Sequence, residues 1–126
     1  MRFEAGQGPV VLNVWATWCE PCRREMASLE AAHRGLAARG IRVVGVSIDS
    51  DVLLAREYAR RMGLTFTNLS DPDQRLVRDR LGVHRLPTTL GIGADGASRW
   101  REEAARDWAD PARLAWIEQS VGARER

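Results

Sequence analysis

The chain has 126 residues, 44% of them hydrophobic and 29% charged, the proportions of a globular protein with room for one ordinary core. Its net charge is +2, and every basic residue is Arg, interspersed with acids as in Arg101-Glu102-Glu103 and Arg124-Glu125-Arg126. Such a balance is a solvated surface and excludes the basic stripe of a nucleic-acid reader. No apolar run approaches the ~18 residues needed to cross a bilayer. Met1 to Pro9 lack a basic start and an apolar stretch, so no signal peptide is expected there.

Val10 to Ala16 is a short apolar run after Gly8-Pro9 and predicts a buried strand. From Glu20, apolar positions recur at three and four (Met26, Leu29, His33, Leu36), which predicts a helix closing at Gly40 with Pro21 in its first turn. Ile41 to Ile48 is a second strand, so the order implies a right-handed parallel crossover. Asp49-Ser50-Asp51 leads into a helix over Val52 to Met62, stopped by Gly63. Thr65 to Leu69 is a short strand, and Asp71-Pro72-Asp73 opens a further helix running to Leu81-Gly82. Thr88 to Ile92 and Ser98 to Glu102 flank an Asp95-Gly96 turn and predict a hairpin. Asp110-Pro111 caps a last helix with Leu114, Ile117 and Val121 inward. The whole, residues 1–126, reads as one α/β domain without repeats or linkers.

The chemistry concentrates at two cysteines, Cys19 and Cys22, in a strand-to-helix turn. Two cysteines do not make a stapled secreted framework. A zinc site needs four ligands, and His33 and His84 lie too far apart in sequence for a finger, so no metal is expected. Covalent haem attachment needs His after the second Cys, where Arg23 stands. A redox dithiol fits: a thiolate at a helix N-terminus is favoured by unpaired N–H groups and the macrodipole. Cys22, one turn along, would point inward and close on Cys19.

The run Val11-Leu12-Asn13-Val14-Trp15-Ala16-Thr17-Trp18-Cys19-Glu20-Pro21-Cys22-Arg23 resembles the thioredoxin superfamily. More narrowly, it is similar to the TlpA/ResA/CcmG branch of bacterial extracytoplasmic thiol reductases. Leu86-Pro87-Thr88-Thr89 resembles that family's cis-proline loop, and the likeness runs from Val10 to Val121. It implies a thioredoxin fold: a central mixed sheet with helices on both faces, and a TlpA-type helix–strand insertion over Asp49 to Asp73. Cys19 would attack and Cys22 resolve. Pro87 would be the cis-proline, with Leu86 and Thr88 beside it meeting an extended substrate segment; the plainer reading of Pro87 is a turn-maker. The resemblance also implies a protein disulfide substrate such as apocytochrome c, and a membrane thiol donor such as a DsbD/CcdA-like carrier. A monomer without cofactor is expected, periplasmic or membrane-anchored outside the cytoplasm, with a cytoplasmic location as the alternative. The branch ordinarily carries more chain before its first strand than the nine residues preceding Val10.

Several residues would tune such a site. Thioredoxin's buried Asp is replaced here by Asn13, which cannot act as a base. The resemblance places a carboxylate in the loop after the second strand, so Asp49 or Asp51 could take the Cys22 proton, or neither, both then being helix caps. Glu20 sits between the cysteines with Pro21, and its charge opposes a Cys19 thiolate. With Arg23 and Arg24 alone nearby, a reducing potential is expected. Trp15 is expected in the core, Trp18 at the substrate surface, Trp100, Trp108 and Trp116 in packing, and His84 in a solvated loop. Two rivals are a peroxiredoxin-like peroxidase, although Thr17 and Cys19 lack that family's Pro-x-x-x-Thr-x-x-Cys spacing, and a non-catalytic binding module.

Overall fold

The computed structural model describes residues 8–122, so the leader reading for Met1 to Gln7 lies outside the described residues. A five-stranded mixed sheet has the order β3-β2-β1-β4-β5. Its strands are β1 (Val10–Trp15), β2 (Arg42–Ser47), β3 (Thr67–Ser70), β4 (Thr88–Ile92) and β5 (Ser98–Glu102). The first three are parallel, whereas β4 runs antiparallel to β1 and β5 antiparallel to β4. The helices are α1 (Glu20–Ala37), α2 (Val52–Arg61) and α3 (Pro111–Val121).

Every side chain of β1 is buried, because this central strand is covered on both faces. Strand alternation divides it. Val11 and Trp15 join Cys22, Met26, Leu29 and Leu36 of α1 and Ile117 of α3 in one apolar cluster. Val10, Leu12 and Val14 join Val44, Val46, Val77 and Leu90 on the opposite face. Each fully buried Val or Leu contributes about 1.5–3 kcal/mol of transfer free energy, which makes this strand the spine of the fold.

Helix α1 ends at Ala37, and the chain turns through Gly40 at φ +77°, a conformation that favours glycine, while Ile41 N–H returns to Leu36 C=O at 3.1 Å. Helix α2 is capped by Asp51, whose carboxylate accepts from Leu53 N–H and Leu54 N–H at 3.0 and 3.3 Å.

The helix expected to open at Asp71-Pro72-Asp73 takes a different form. Gln74 adopts the left-handed region at φ 59°, and Arg75–Arg80 is a short π-helical segment. The reason is the buried Asp71. Its backbone N–H extends the sheet by bonding Ser47 C=O at 2.8 Å, and its carboxylate accepts from Leu76 N–H at 3.1 Å and Val77 N–H at 2.7 Å. A carboxylate fixed to the sheet end thus gathers N–H groups five and six residues on, which suits a wide turn better than an α-helical cap. This segment covers the sheet face opposite α1, so helical structure lies on both faces, unequally.

Candidate active site

Strand β1 ends at Trp15, and Ala16 to Trp18 make the turn into α1. That turn is held from below by Asp49. Its carboxylate accepts from Thr17 N–H at 3.0 Å, from Thr17 Oγ1 at 2.7 Å and from Ser47 Oγ at 2.6 Å. Arg23 closes the turn from α1 by donating to Thr17 C=O at 3.0 Å. Cys19 stands at the N-cap of α1 with extended backbone, and Pro21 occupies the first turn. Cys19 is 7% exposed and Cys22 wholly buried, and a disulfide joins them. Cys22 N–H points at Cys19 Sγ at 3.3 Å, a donor that would stabilise a thiolate at that sulfur.

The pairing of Val14 with Thr88 brings the start of β4 to the same end of the sheet as the cysteines. There the Leu86–Pro87 peptide bond is cis. Thr88 is buried, and its hydroxyl donates to Arg85 C=O at 2.7 Å, tying the loop to itself. A groove of about 550 Å³ runs past Trp18, Cys19 and Pro21 on one side and Leu86 on the other, with Val77 and Arg78 of the π-helical segment as a further wall. Trp18 is 65% exposed on its rim.

Behind the cysteines lies Glu25, one helical turn beyond Cys22 and only 2% exposed. Asn13 Nδ2 donates to its Oε2 at 2.8 Å, and Trp108 Nε1 and Arg106 N–H donate to its Oε1 at 2.7 and 3.1 Å. Burial nevertheless raises the Glu25 pKa above the ordinary carboxyl value, against the opposing pull of these three bonds and of the Arg106 charge. Asn13 also donates to Thr89 Oγ1 at 2.9 Å, and its own Oδ1 is buried without a hydrogen-bond partner among the described residues. Among the described residues, no three His, Cys, Asp or Glu side chains are grouped to hold a metal.

Residues 2–101 match the AhpC/TSA family. The chain belongs to that family. It is 36% identical over 121 residues to the thiol:disulfide interchange protein DsbE of Escherichia coli strain K12, covering 93% of this chain and 63% of the relative. It is 33% identical over 91 residues to the thiol-disulfide oxidoreductase ResA of Bacillus subtilis strain 168, covering 72% of this chain and 50% of that one. The chain therefore spans between half and two thirds of these relatives' lengths. A secreted Mycobacterium tuberculosis disulfide oxidoreductase homologous to E. coli DsbE superposes with a TM-score of 0.74 at 28% identity, over 87% of this chain and 82% of that one.

Within this AhpC/TSA-family chain, the residues singled out from sequence fall into three groups. Trp18, Cys19, Glu20, Pro21 and Leu86 line the groove at one end of the sheet, with Cys22, Pro87 and Thr88 buried next to them in the chain or through the disulfide. Asn13 lies one layer deeper, against Glu25. Asp49 and Asp51 separate: Asp49 is built into the turn before Cys19, and Asp51 is an exposed cap of α2. Two buried acids therefore lie near the pair, Asp49 in the loop after β2 and Glu25 on α1, each 2% exposed. Glu25 was missed in sequence because acids on a helix are ordinarily solvated. The readable signal was its place in the stripe Cys22, Met26, Leu29, where a charge does not belong unless it is bonded.

Proposed function

We propose that this chain is a thiol–disulfide oxidoreductase acting on protein disulfides, predominantly as a reductant. The observation that carries this reading is the Cys19–Cys22 pair at the N-terminus of α1, beside a groove reaching the cis Leu86–Pro87 bond. In the reduced form, the Cys19 thiolate attacks one sulfur of a substrate disulfide. That bond breaks, the second substrate sulfur leaves and takes a proton, and Cys19 is held in a mixed disulfide. Cys22 then loses its proton and attacks Cys19 Sγ, releasing the first substrate sulfur as a thiol. Two electrons pass from the dithiol to the substrate, and the chain is left as the disulfide.

In this reading Glu25 receives the Cys22 proton, because it is the buried carboxyl on the same helix one turn on, with its pKa raised by burial. Asn13 is a positioning residue that orients it. Leu86 presents backbone N–H and C=O groups that make no hydrogen bond among the described residues, which leaves them for strand-like pairing with substrate. By analogy with its relatives, the chain works as one thioredoxin-like domain outside the cytoplasm, recharged by a membrane thiol carrier, with apocytochrome c as a substrate. No helix among the described residues is long and apolar enough to cross a membrane.

The test is reduction of a disulfide-bonded protein by the reduced chain. Cys19→Ser is expected to abolish it, and Cys22→Ser to accumulate a mixed disulfide from which the partner can be identified. The AhpC/TSA match favours a second reading, a peroxidase at Cys19. Consumption of hydrogen peroxide without disulfide reduction would select that reading.

A further inference from the structure

We infer that the groove beside Cys19 selects substrate segments carrying acidic residues next to the reactive cysteine and an apolar residue for its apolar lining. This inference rests on the thiol-exchange reading above and adds the chemical class of its substrate.

The groove has a divided lining. Ile48, Val77, Val83 and Leu86 supply apolar lining, and the charged side chains around it are Arg78, Arg85 and Glu20. These charges are not equally available. Glu20 is engaged by Arg24 at 3.4 Å on the exposed side of α1. Arg85 reaches Glu103 only at 3.7 Å, and that carboxylate is shared with Arg101 at 3.8 Å. Arg78 has no ion-pair partner among the described residues and is exposed. The rim therefore presents net positive charge beside an attacking sulfur, with His84 adjacent.

Both cation-bearing walls are held in place before any ligand arrives. The π-helical segment carrying Arg78 hangs on Asp71, which bonds Val77 N–H at 2.7 Å and the sheet at Ser47. On the other wall, Arg101 donates to Leu81 C=O at 2.6 Å and Gly82 C=O at 3.1 Å, and Thr88 fixes Arg85 C=O. Little ordering is needed in the walls when a segment docks, so charge complementarity can appear as selectivity. The exposed Trp18 supplies an aromatic edge for the same segment. A basic segment would meet Arg78 and Arg85 with only a partnered Glu20 in compensation.

The experiment uses the full reduced chain and two synthetic peptides. Each has one internal disulfide and one Leu, and they differ only in the residues flanking the first cysteine, Glu in one and Arg in the other. The acidic peptide is expected to be reduced with kcat/KM about tenfold higher, mainly through KM, with the difference shrinking as salt is raised. Arg78→Glu is expected to remove or invert the preference, and Arg85→Gln to reduce it; both positions are exposed, so two independent variants carry the test. Equal rates for the two peptides, or a preference for the basic one, overturn the inference and leave the exchange reading standing. Oxidised glutathione reduced as fast as the acidic peptide overturns the requirement for an apolar residue. Reduction of neither peptide overturns the exchange reading itself.

Discussion

Asn13 Nδ2 donates a 2.8 Å hydrogen bond to Glu25 Oε2, joining the central strand to the cysteine helix through two buried side chains. The acid behind the dithiol is thus borne by α1, while β1 supplies the amide that orients it. An amide donor stabilises the carboxylate form, but burial weighs more and leaves Glu25 with a raised pKa.

Glu25→Gln is expected to slow resolution of the mixed disulfide by about a hundredfold and to flatten the pH dependence of turnover. Stopped-flow tryptophan fluorescence on the variant, from acidic to alkaline pH, checks this. Trp108→Phe removes one donor from the carboxylate and is expected to move the same pH profile upwards.

The raised pKa also makes a stability prediction. The folded protein binds a proton at Glu25 more tightly than the unfolded chain, whose carboxyl titrates near 4.5. The stabilisation is therefore fully present below that pH and is lost as pH rises through the raised value. Each unit of elevation corresponds to about 1.4 kcal/mol. Urea unfolding of the wild type and Glu25→Gln from pH 4 upwards is expected to show the wild type losing ground relative to the variant.

Asp49 and Asp51 are expected to behave differently on substitution. Asp51→Ala removes a helix cap at a cost of about 1 kcal/mol and leaves exchange kinetics unchanged. Asp49→Ala leaves Thr17 N–H and two hydroxyls without their acceptor, costing about 2–3 kcal/mol and loosening the turn before Cys19. Denaturation midpoints with exchange rates on both variants make the comparison.

Gly45 of β2 lies against the bond from Trp15 Nε1 to Asn68 Oδ1, 3.0 Å long. A Cβ there would run into the Asn68 amide. Gly45→Ala is expected to destabilise the protein by about 1–3 kcal/mol and to change the fluorescence of the buried Trp15.

At the dithiol, Cys22 N–H favours a Cys19 thiolate while Glu20, partly neutralised by Arg24, opposes it. Equilibration with glutathione or dithiothreitol is expected to give a potential nearer about −270 mV than about −120 mV. A value above about −180 mV would overturn the reductant assignment.

The Cys19–Cys22 site was legible because its parts are local: a strand end, a turn, a proline and two cysteines within one helical turn fix the sulfurs at a helix N-terminus wherever the rest of the chain goes. The nearly continuous apolar run Val10 to Ala16 likewise placed β1 as a buried strand. The burial of Glu25 was not legible, since it is enclosed by Trp108 and Arg106, more than 80 positions away in the chain. Sequence spacing carries no measure of that desolvation. The groove wall was hidden for the same reason. Asp71 could be read as a cap, but the wide turn it builds depends on its anchorage to Ser47 of another strand. Sequence alone determined the placement of the two sulfurs; tertiary packing decided which carboxyls are buried near them and which charges surround the groove, because burial and electrostatic neighbourhood arise only when distant segments meet.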